Sequence, residues 1–521
     1  MNGRPEGPEV RLAELLAVLS FGADLGMGQP LEHVLRQSLI ALRLGDRLGM
    51  GDAERGTLYH LSLLAWVGCH IDAYEQAKWF GDDFVLKNDF RMTDLTPAAQ
   101  IGFTMRHLGA GRPMRERVRL GMSFMSGGWR DSRQMLMNHW YAADDLAAKL
   151  GFDDHLRASL YQTFERWDGK GAPGELKGDA ISLPARMVNL ADVLEVFHRC
   201  GGVDAAIAVA RERSGSQFDP GLVDLVTSDA GMLFVDLEAA TTWDAIIDAE
   251  PALGTVLSGA ALDSALEAVA DFIDVKSPYT LGHSRAVAEL ATEAARGMDL
   301  DHAAISHVYR SALLHDLGKL GVSNAVWDKA GPLTPAENER VRMHPYLTER
   351  MLAQSAGLAA FGATAVQHHE RLDGSGYPYG IRGSAVSTAG RLLAAADAYQ
   401  TKIEERPQRP ALAPDDAAAH LRSEVRAGRL DMAAVDAVLR VAGHEVRRRQ
   451  EWPAGLTARE VAVLRLLARG MSNAEIAARL VISAKTVGHH VEHIYLKIGV
   501  SNRARASLFA VRHGLMTDLP G

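Results

Sequence analysis

A set of seven side chains of metal-ligating type stands out in the second half of this 521-residue chain: His283, His315, Asp316, His344, His368, His369 and Asp397. Two adjacent pairs stand out. His315-Asp316 sits among apolar residues in Leu313-Leu314-His315-Asp316-Leu317-Gly318-Lys319. His368-His369 leads into Glu370-Arg371-Leu372-Asp373-Gly374-Ser375-Gly376-Tyr377-Pro378. One aspartate between two metal ions can bridge them, and neutral imidazoles complete each shell. Such a pair of ions activates a water and clamps a phosphate during in-line displacement. A lone histidine is more often a packed core or surface residue, but seven ligand types on one framework favour the metal reading.

The elements that must position these residues read as helices. Apolar residues recur at helical spacing in nearly every segment, as in Ala261-Leu262, Leu266, Val269-Ala270 and Phe272-Ile273. Alternating strand-like runs are scarce, so an all-α protein is predicted. The length exceeds what one core organises and implies several domains. A hydrophobic content of 47% and a charged content of 23% are ordinary for a globular protein. The net charge of -9 does not mark a nucleic-acid binder, although a whole-chain value can hide a local basic patch. Two cysteines, Cys69 and Cys200, give no disulfide framework and fit a reducing compartment. No apolar run reaches the roughly 18 residues of a membrane span. The polar N-terminus does not read as a signal peptide. A cytoplasmic protein without a membrane partner is expected.

The chain repeats itself. Glu165-Arg166-Trp167-Asp168-Gly169-Lys170-Gly171-Ala172-Pro173 resembles residues 370–378 at an offset of 205, which also maps His139 onto His344 and Asp192 onto Asp397. Upstream, His33 and Leu63-Leu64-Ala65-Trp66 map onto His283 and Leu313-Leu314-His315-Asp316 at an offset of 250. The difference implies an insertion of 45 residues in the first copy, between Cys69 and His139. In that copy Ala65 and Trp66 replace the His-Asp pair, Cys69 replaces Lys319, and Thr163-Phe164 replace the His pair. Without a bridging aspartate, His33, His139 and Asp192 are expected to be packed or hydrogen-bonded. The predicted order is a tail over 1–12, a degenerate helical domain over 13–230, a connecting segment over 231–259, the intact domain over 260–443, a linker over 444–455 and a small domain over 456–521.

The intact set resembles the HD-GYP family, a branch of the HD phosphohydrolases. The resemblance rests on Pro278-Tyr279-Thr280-Leu281-Gly282-His283-Ser284, the His315-Asp316 motif with Lys319, His344, His368-His369-Glu370 with residues 373–378, and Asp397 followed by Arg406-Pro407. It implies two tandem HD-type domains, the first lacking the site, and hydrolysis of cyclic di-GMP at a centre of two divalent metal ions, iron or manganese. By this resemblance His283, His315, Asp316 and Asp397 hold one metal. Asp316 bridges to a second, held by His344, His368 and His369. A third metal in the family uses a Glu where this chain has Tyr279, so two metals are predicted. Lys319 is expected to neutralise charge on the reacting phosphate, Arg406 and Arg409 to clamp substrate phosphates, Tyr377 to line the nucleotide pocket, and Asp373 to shape a turn beside it. Gln400 and Gln408 depart from the family, which more often has an acidic and an aromatic residue there. None of these departures is a metal ligand.

The C-terminal segment opens with a capping box, Thr457 with Glu460. Helical runs follow to Arg469, over Ser472–Leu480, over Ser483–Ile498 and from about Arg503. With Lys485-Thr486-Val487-Gly488-His489-His490-Val491 and Lys497-Ile498-Gly499-Val500-Ser501-Asn502-Arg503, it resembles the LuxR-type helix-turn-helix. From Leu456 to His513 there are nine Lys or Arg and three Glu, a local charge of +6. The resemblance implies binding to double-stranded DNA, with Lys485, Thr486, His490, Lys497 and Arg503 toward the backbone and Gly488, His489 and Glu492 toward the major groove. Ile476, Val487, Val491, Ile494 and Ile498 read as the small core. DNA readers of this type act on paired half-sites, so a homodimer is expected. Two other readings stand beside the phosphodiesterase-regulator: a non-catalytic nucleotide- or metal-responsive transcription factor, and a phosphohydrolase of another nucleotide.

Overall fold

The computed structural model describes residues 8–93, 97–125, 129–237, 242–251, 254–443 and 452–516. Helices dominate, and the chain divides into two compact units, Glu9–Ser258 and the residues from Gly259 onward. Among the described residues no helix is long and apolar enough to cross a membrane. The segment 444–451, including the arginines at 447–449, lies outside the described residues.

The first unit is built on the helix Leu12–Gly26, which is apolar nearly all round and buried on nearly every face. The helices His33–Leu48, Asp52–Leu64 and Leu183–Glu212 pack with it and with one another. Val10 and Arg11, which the sequence assigns to a loose tail, form a two-residue strand antiparallel to Val256–Leu257. Val10 is wholly buried, and Arg11 donates to Glu250 and to the Ile247 carbonyl at 2.9 Å, so burial and ion pairing fix them. The inserted stretch folds as the helices Ala73–Phe80, Asp83–Met92, Pro97–His107 and Met114–Ser123. Trp79, Phe80, Leu86, Leu108 and Phe124 form a small core of their own there.

The second unit carries the helices Gly259–Asp274, His283–Arg296, His302–Leu314 and Thr388–Ile403, packed around Leu266, Val287, Leu313 and Leu393. It repeats the first bond for bond. Asp24 accepts from the Val34 amide at 3.0 Å, and Asp274 accepts from the Ser284 amide at 2.7 Å, 250 positions on. Burial pushes both carboxyls up to about 7. Glu165 accepts from the amides of Gly174, Glu175 and Leu176; Glu370 accepts from those of Tyr379, Gly380 and Ile381, 205 positions on. These buried carboxylates pin the two turn motifs, since each meets three amides that would otherwise be unsatisfied.

The C-terminal helices Ala458–Ala468, Asn473–Leu480, Ala484–Ile498 and Arg503–Arg512 surround Val463, Leu464, Ile476, Val487, Ile494 and Val511. Val491 and Ile498 are partly buried against this cluster. Thr457 with Glu460, and Ser472 with Glu475, each close a complete capping box, which satisfies the first amides of these short helices.

Candidate metal centre and nucleic-acid interface

The chain gathers the ligand-type residues at helix ends, where side chains of several elements can converge. His283 opens its helix, His315 closes another, and His344 opens a third. His368 and His369 lie in the 3-10 turn Val366–His369, and Asp397 lies within the helix Thr388–Ile403. After His315 the chain turns as a 3-10 segment, Leu317–Gly321, which carries Lys319. Continued α-helix is predicted from the sequence there. The tight turn depends on Gly318, where a Cβ would stand 2.0 Å from the His344 carbonyl.

All seven meet in one buried cluster, with only His369 partly exposed. His315, His344 and His368 each direct Nδ1 at the carbonyl three residues earlier, at 2.7, 2.6 and 2.6 Å. A carbonyl only accepts, so Nδ1 carries the proton and Nε2 presents a lone pair. Around Asp316 the imidazoles fall into two groups. Oδ2 faces His315 Nε2 at 3.1 Å and His283 Nε2 at 3.5 Å. Oδ1 faces His344 Nε2 at 3.5 Å and His368 Nε2 at 3.8 Å. Asp397 Oδ1 stands 3.3 Å from His283 Nε2, and Asp397 Oδ2 stands 3.8 Å from His369 Nδ1.

This arrangement fits divalent cations. His283 Nε2 and His315 Nε2 are buried with no hydrogen-bond partner among the described residues, and the buried Asp316 Oδ2 is met by the Lys319 ammonium. The Nε2 atoms of His344 and His368 lie 3.0 Å apart with both lone pairs turned inward, an arrangement a cation relieves. Three triads hold ligand atoms within 4.8 Å of one another: His344, His368 and His369; His283, His315 and Asp397; His315, Asp316 and His368. The titration states agree for the second set of imidazoles, whereas at His283 burial is outweighed by Glu404 and Asp397, which hold that ring up at about 9. Burial lowers His344 to about 4 and holds His368 and His369 well below the usual imidazole range, so they are neutral ligands. Burial would raise Asp316, but His315 and Lys319 hold it well below the usual carboxylate range; for Asp397, against the same burial, His283 and His369 do so.

Several neighbours carry roles that sequence reasoning missed. Glu404 accepts from His283 Nδ1 at 2.9 Å and from Arg406 at 2.8 Å, so it orients that ring. Gln400, a departure from the family, donates to Glu404 at 2.9 Å. Thr348 donates to the His315 carbonyl at 3.0 Å and accepts from the Gly318 amide at 2.8 Å, locking the ligand turn. No spacing in the chain announces the contacts of Glu404 with His283 or of Thr348 with the His315 turn, because each joins elements far apart in sequence.

The expected substrate residues divide. Lys319 pairs with Asp316 and lies 4.9 Å from the Trp327 ring centre. Tyr377 packs 4.7 Å from the His369 ring, with Arg342 4.6 Å over its face. Arg406 contacts Glu404 and the Tyr279 carbonyl. Arg409 instead donates to the carbonyls of Thr401, Lys402, Glu404 and Pro410, bracing its own loop. Asp373 is exposed and accepts from the Ser375 amide at 2.9 Å, which makes a turn and no more.

In the C-terminal helices, Lys485, His489 and Glu492 are exposed on Ala484–Ile498, while Gly488 and His490 are half-buried on it. His489 Nδ1 stands 3.8 Å from Glu492. Thr486 completes the helix start with Ser483 at 2.8 Å. Lys497 is engaged by Glu460 at 2.7 Å and the Gly455 carbonyl at 3.1 Å, and Arg503 donates to the carbonyls of Leu467 and Met471. Those two cations hold the small domain together. The same domain meets the metal-site domain at two loops. Leu281 joins the cluster of Leu515 and Met516, and Glu405 pairs with Arg469 and Arg479, each at 3.3 Å.

Comparison with known proteins accounts for both halves of this arrangement. The HD-domain family pattern matches residues 129–222 and 267–434, and that of the bacterial regulatory proteins of the luxR family matches residues 454–510. A 3'3'-cGAMP-specific phosphodiesterase 3 of Vibrio cholerae serotype O1 is 32% identical over 412 residues, 78% of this chain and 90% of that protein. A cyclic di-GMP phosphodiesterase of the same organism is 39% identical over 149 residues, 27% of this chain and 30% of that protein. A crystal structure of a cyclic GMP-AMP specific phosphodiesterase in V. cholerae superposes with a TM-score of 0.59 at 28% identity, over 83% of this chain and 98% of that one.

Proposed function

The chain belongs to the HD-domain family, as a metal-dependent phosphodiesterase of the HD-GYP type fused to a LuxR-type domain, and from that premise we propose that it cleaves a 3'3'-cyclic purine dinucleotide and binds DNA as a homodimer. The observation that carries the reading is Asp316, whose two carboxylate oxygens face two different sets of imidazoles. Two divalent ions, iron or manganese as the family resemblance implies, would supply Lewis-acid polarisation of the phosphodiester and an acidified water.

The rest is the work of the chain's own residues. His283, His315, Asp316 and Asp397 form one ligand set, and His344, His368 and His369, with Asp316 shared, form the other. Carbonyl bonds at Nδ1 hold three of these rings at fixed orientation before substrate arrives. Lys319, beside Asp316, is suited to offset negative charge on a phosphoryl group. Tyr377 and Trp327 give the site flat apolar walls against which a base can pack. Arg406, bonded to Glu404 and the Tyr279 carbonyl but with Nε without a hydrogen-bond partner among the described residues, is the arginine we assign to the phosphates, while Arg409 donates to carbonyl groups of its own loop. On the C-terminal helix Ala484–Ile498, Lys485, Gly488, His489, His490 and Glu492 are the proposed DNA-facing set, with Thr486 beside its start.

Both 3'3'-cGAMP and cyclic di-GMP belong in the assay. The relative aligned through both units is named for the first, and relatives aligned over shorter stretches are named for the second. The test is hydrolysis of each by protein purified without oxygen and supplied with iron or manganese, beside an Asp316→Ala variant. Turnover that disappears in the variant supports the reading. Two bound metals per chain with no turnover of either would favour a non-catalytic nucleotide-responsive regulator, a reading to which the committed Arg409 lends weight. The mass in solution, with and without DNA, tests the homodimer.

A further inference from the structure

Among the described residues the first unit shows no cluster of metal-ligating side chains, yet it keeps a cavity of about 550 Å³ where the metal site would be. Residues standing at the lost ligand positions form one side: Trp66, Cys69, His139, Phe164 and Asp192. The inserted segment forms the other, through Phe80, Lys87, Phe90, Arg91, Phe103 and Thr104. A degenerate site with nothing to hold would be expected to fill in, because empty volume forfeits packing energy. Here an insertion that could have plugged the space encloses it instead.

The lining has a definite chemistry. Five cations face the cavity, namely Lys87, Arg91, Arg166, Lys170 and Arg213, against two carboxylates, Asp72 and Asp192. Four of the five cations are buried. Asp192 is spent on His33 and Arg91, at 3.0 and 3.2 Å, Lys87 pairs with Asp83 at 3.2 Å, and Asp168 lies 3.3 Å from Arg166 and 3.7 Å from Lys170, which leaves five cations against Asp83, Asp168 and Asp192. Burial pushes the Asp72 carboxyl well above the usual range. The excess is therefore positive. Aromatic faces alternate with these cations: Arg91 lies over the Trp66 ring at 5.1 Å, and Trp140 and Phe164 meet at 5.9 Å. Two buried acceptors, Asp72 Oδ1 and Gln76 Oε1, have no hydrogen-bond partner among the described residues. Buried acceptors left in this state are costly unless a donor arrives from elsewhere.

We propose that this cavity is a non-catalytic binding site for a purine nucleotide, with the phosphate among Lys87, Arg91, Arg166 and Lys170, the base between the aromatic walls, and its amino edge donating to Asp72 and Gln76. The size suits a ligand of this class, whose pockets run to roughly 300–1,000 Å³. Guanidinium groups suit phosphate by their forked donors, and stacking on aromatic rings serves any purine. No hydrolysis follows, because Ala65 and Trp66 stand where the bridging His-Asp pair would be. The first unit then reads a nucleotide that the second does not consume there.

The test uses the full chain with 8-azido-GMP, 8-azido-AMP and unlabelled cyclic di-GMP as competitor. Crosslinks are mapped by peptide mass, and affinity is followed through the fluorescence of Trp66 and Trp140. Two variants accompany it: Lys170→Glu at the exposed mouth and Thr104→Trp, which fills the cavity. The expected result is label in peptides covering 66–104 or 164–173, with affinity weakened about tenfold or more in either variant, a loss typical of one strong contact. Competition by cyclic di-GMP, or its absence, separates a cyclic dinucleotide from a linear or mononucleotide ligand; either supports the site. Hydrolysis by the second unit should persist in both variants, and an unchanged urea midpoint of the first unit by pulse proteolysis shows that it folds. Label confined to 259–443, or affinity for both probes unchanged in both variants, overturns the proposal.

Discussion

At the scale of single residues, the centre depends on how each ligand is aimed. Replacing Asp316 with Ala removes the shared carboxylate and leaves two imidazole sets with nothing between them. Activity should fall by about 10³-fold or more, with metal content reduced below two per chain by elemental analysis. Glu404→Gln is the subtler change. It keeps an acceptor for His283 Nδ1 but removes the charge that steadies the ring, and gives Arg406 a weaker partner. Metal affinity or turnover should drop about 10–100-fold, the usual cost of losing an orienting partner. Unchanged metal affinity and rate in Glu404→Gln would mean that helix packing alone sets the ring. The seven ligand types were legible in the sequence because each motif carries its chemistry in adjacent residues. Glu404 was not, because its role exists only where the end of one helix meets the start of another. The carbonyl contacts of Arg409 and Arg503 were hidden for the same reason: a long cation shows its charge in the sequence, but not the carbonyls within its reach.

At the scale of elements, turns rather than helices set the distances. Gly318 lets the His315-Asp316 turn pass under the His344 helix, and an added Cβ would strike backbone at 2.0 Å. Gly318→Ala should cost roughly 1–3 kcal/mol in stability and displace Asp316 from one imidazole set, seen as lost metal in a still-helical protein. Gly488→Ala is the control, since its Cβ would meet nothing within 4 Å. In the first unit the histidine at the matching helix start has become an ion-pair centre. Burial would lower His33, but bonds to Asp192 and Glu195 hold it up at about 9. Its folded value lies above its unfolded value of about 6.5, so its contribution is full below that pH and is lost as pH rises toward 9. Pulse proteolysis of the full chain in urea should show this unit weakening by about 2–3 kcal/mol across that window, with the slope absent in His33→Gln. A wild-type midpoint that stays level from pH 6.5 to 9 would rule out the charged ring. The insertion's length was legible from the change of repeat offset. Its enclosure of a cavity was not, because that depends on how inserted helices such as Asp83–Met92 meet the old core.

At the scale of the whole molecule, fusion puts a DNA reader beside a metal centre through a narrow contact. Glu405→Lys sets like charges beside Arg469 and Arg479 and should release the C-terminal helices from the loop. Each pair is partly exposed, so the loss is about 0.5–1 kcal/mol. Faster amide exchange at residues 279–284 and 469–479, with the fold of each domain intact, is the expected readout. Exchange identical to the parent would show that Leu281 and its apolar neighbours carry the contact alone.

Glu405 adjoins Glu404, and Glu404 aims His283, so the grip of two arginines ends one residue from the chemistry. Coupling of this kind is reciprocal: whatever factor a bound nucleotide imposes on operator affinity, the operator imposes on nucleotide affinity. On the proposed reading, the promoter would then be an effector of the enzyme. Copies seated on the genome and copies adrift in the cell would clear the same messenger with different appetites, and the number of vacant operators would help to set how long the signal lasts.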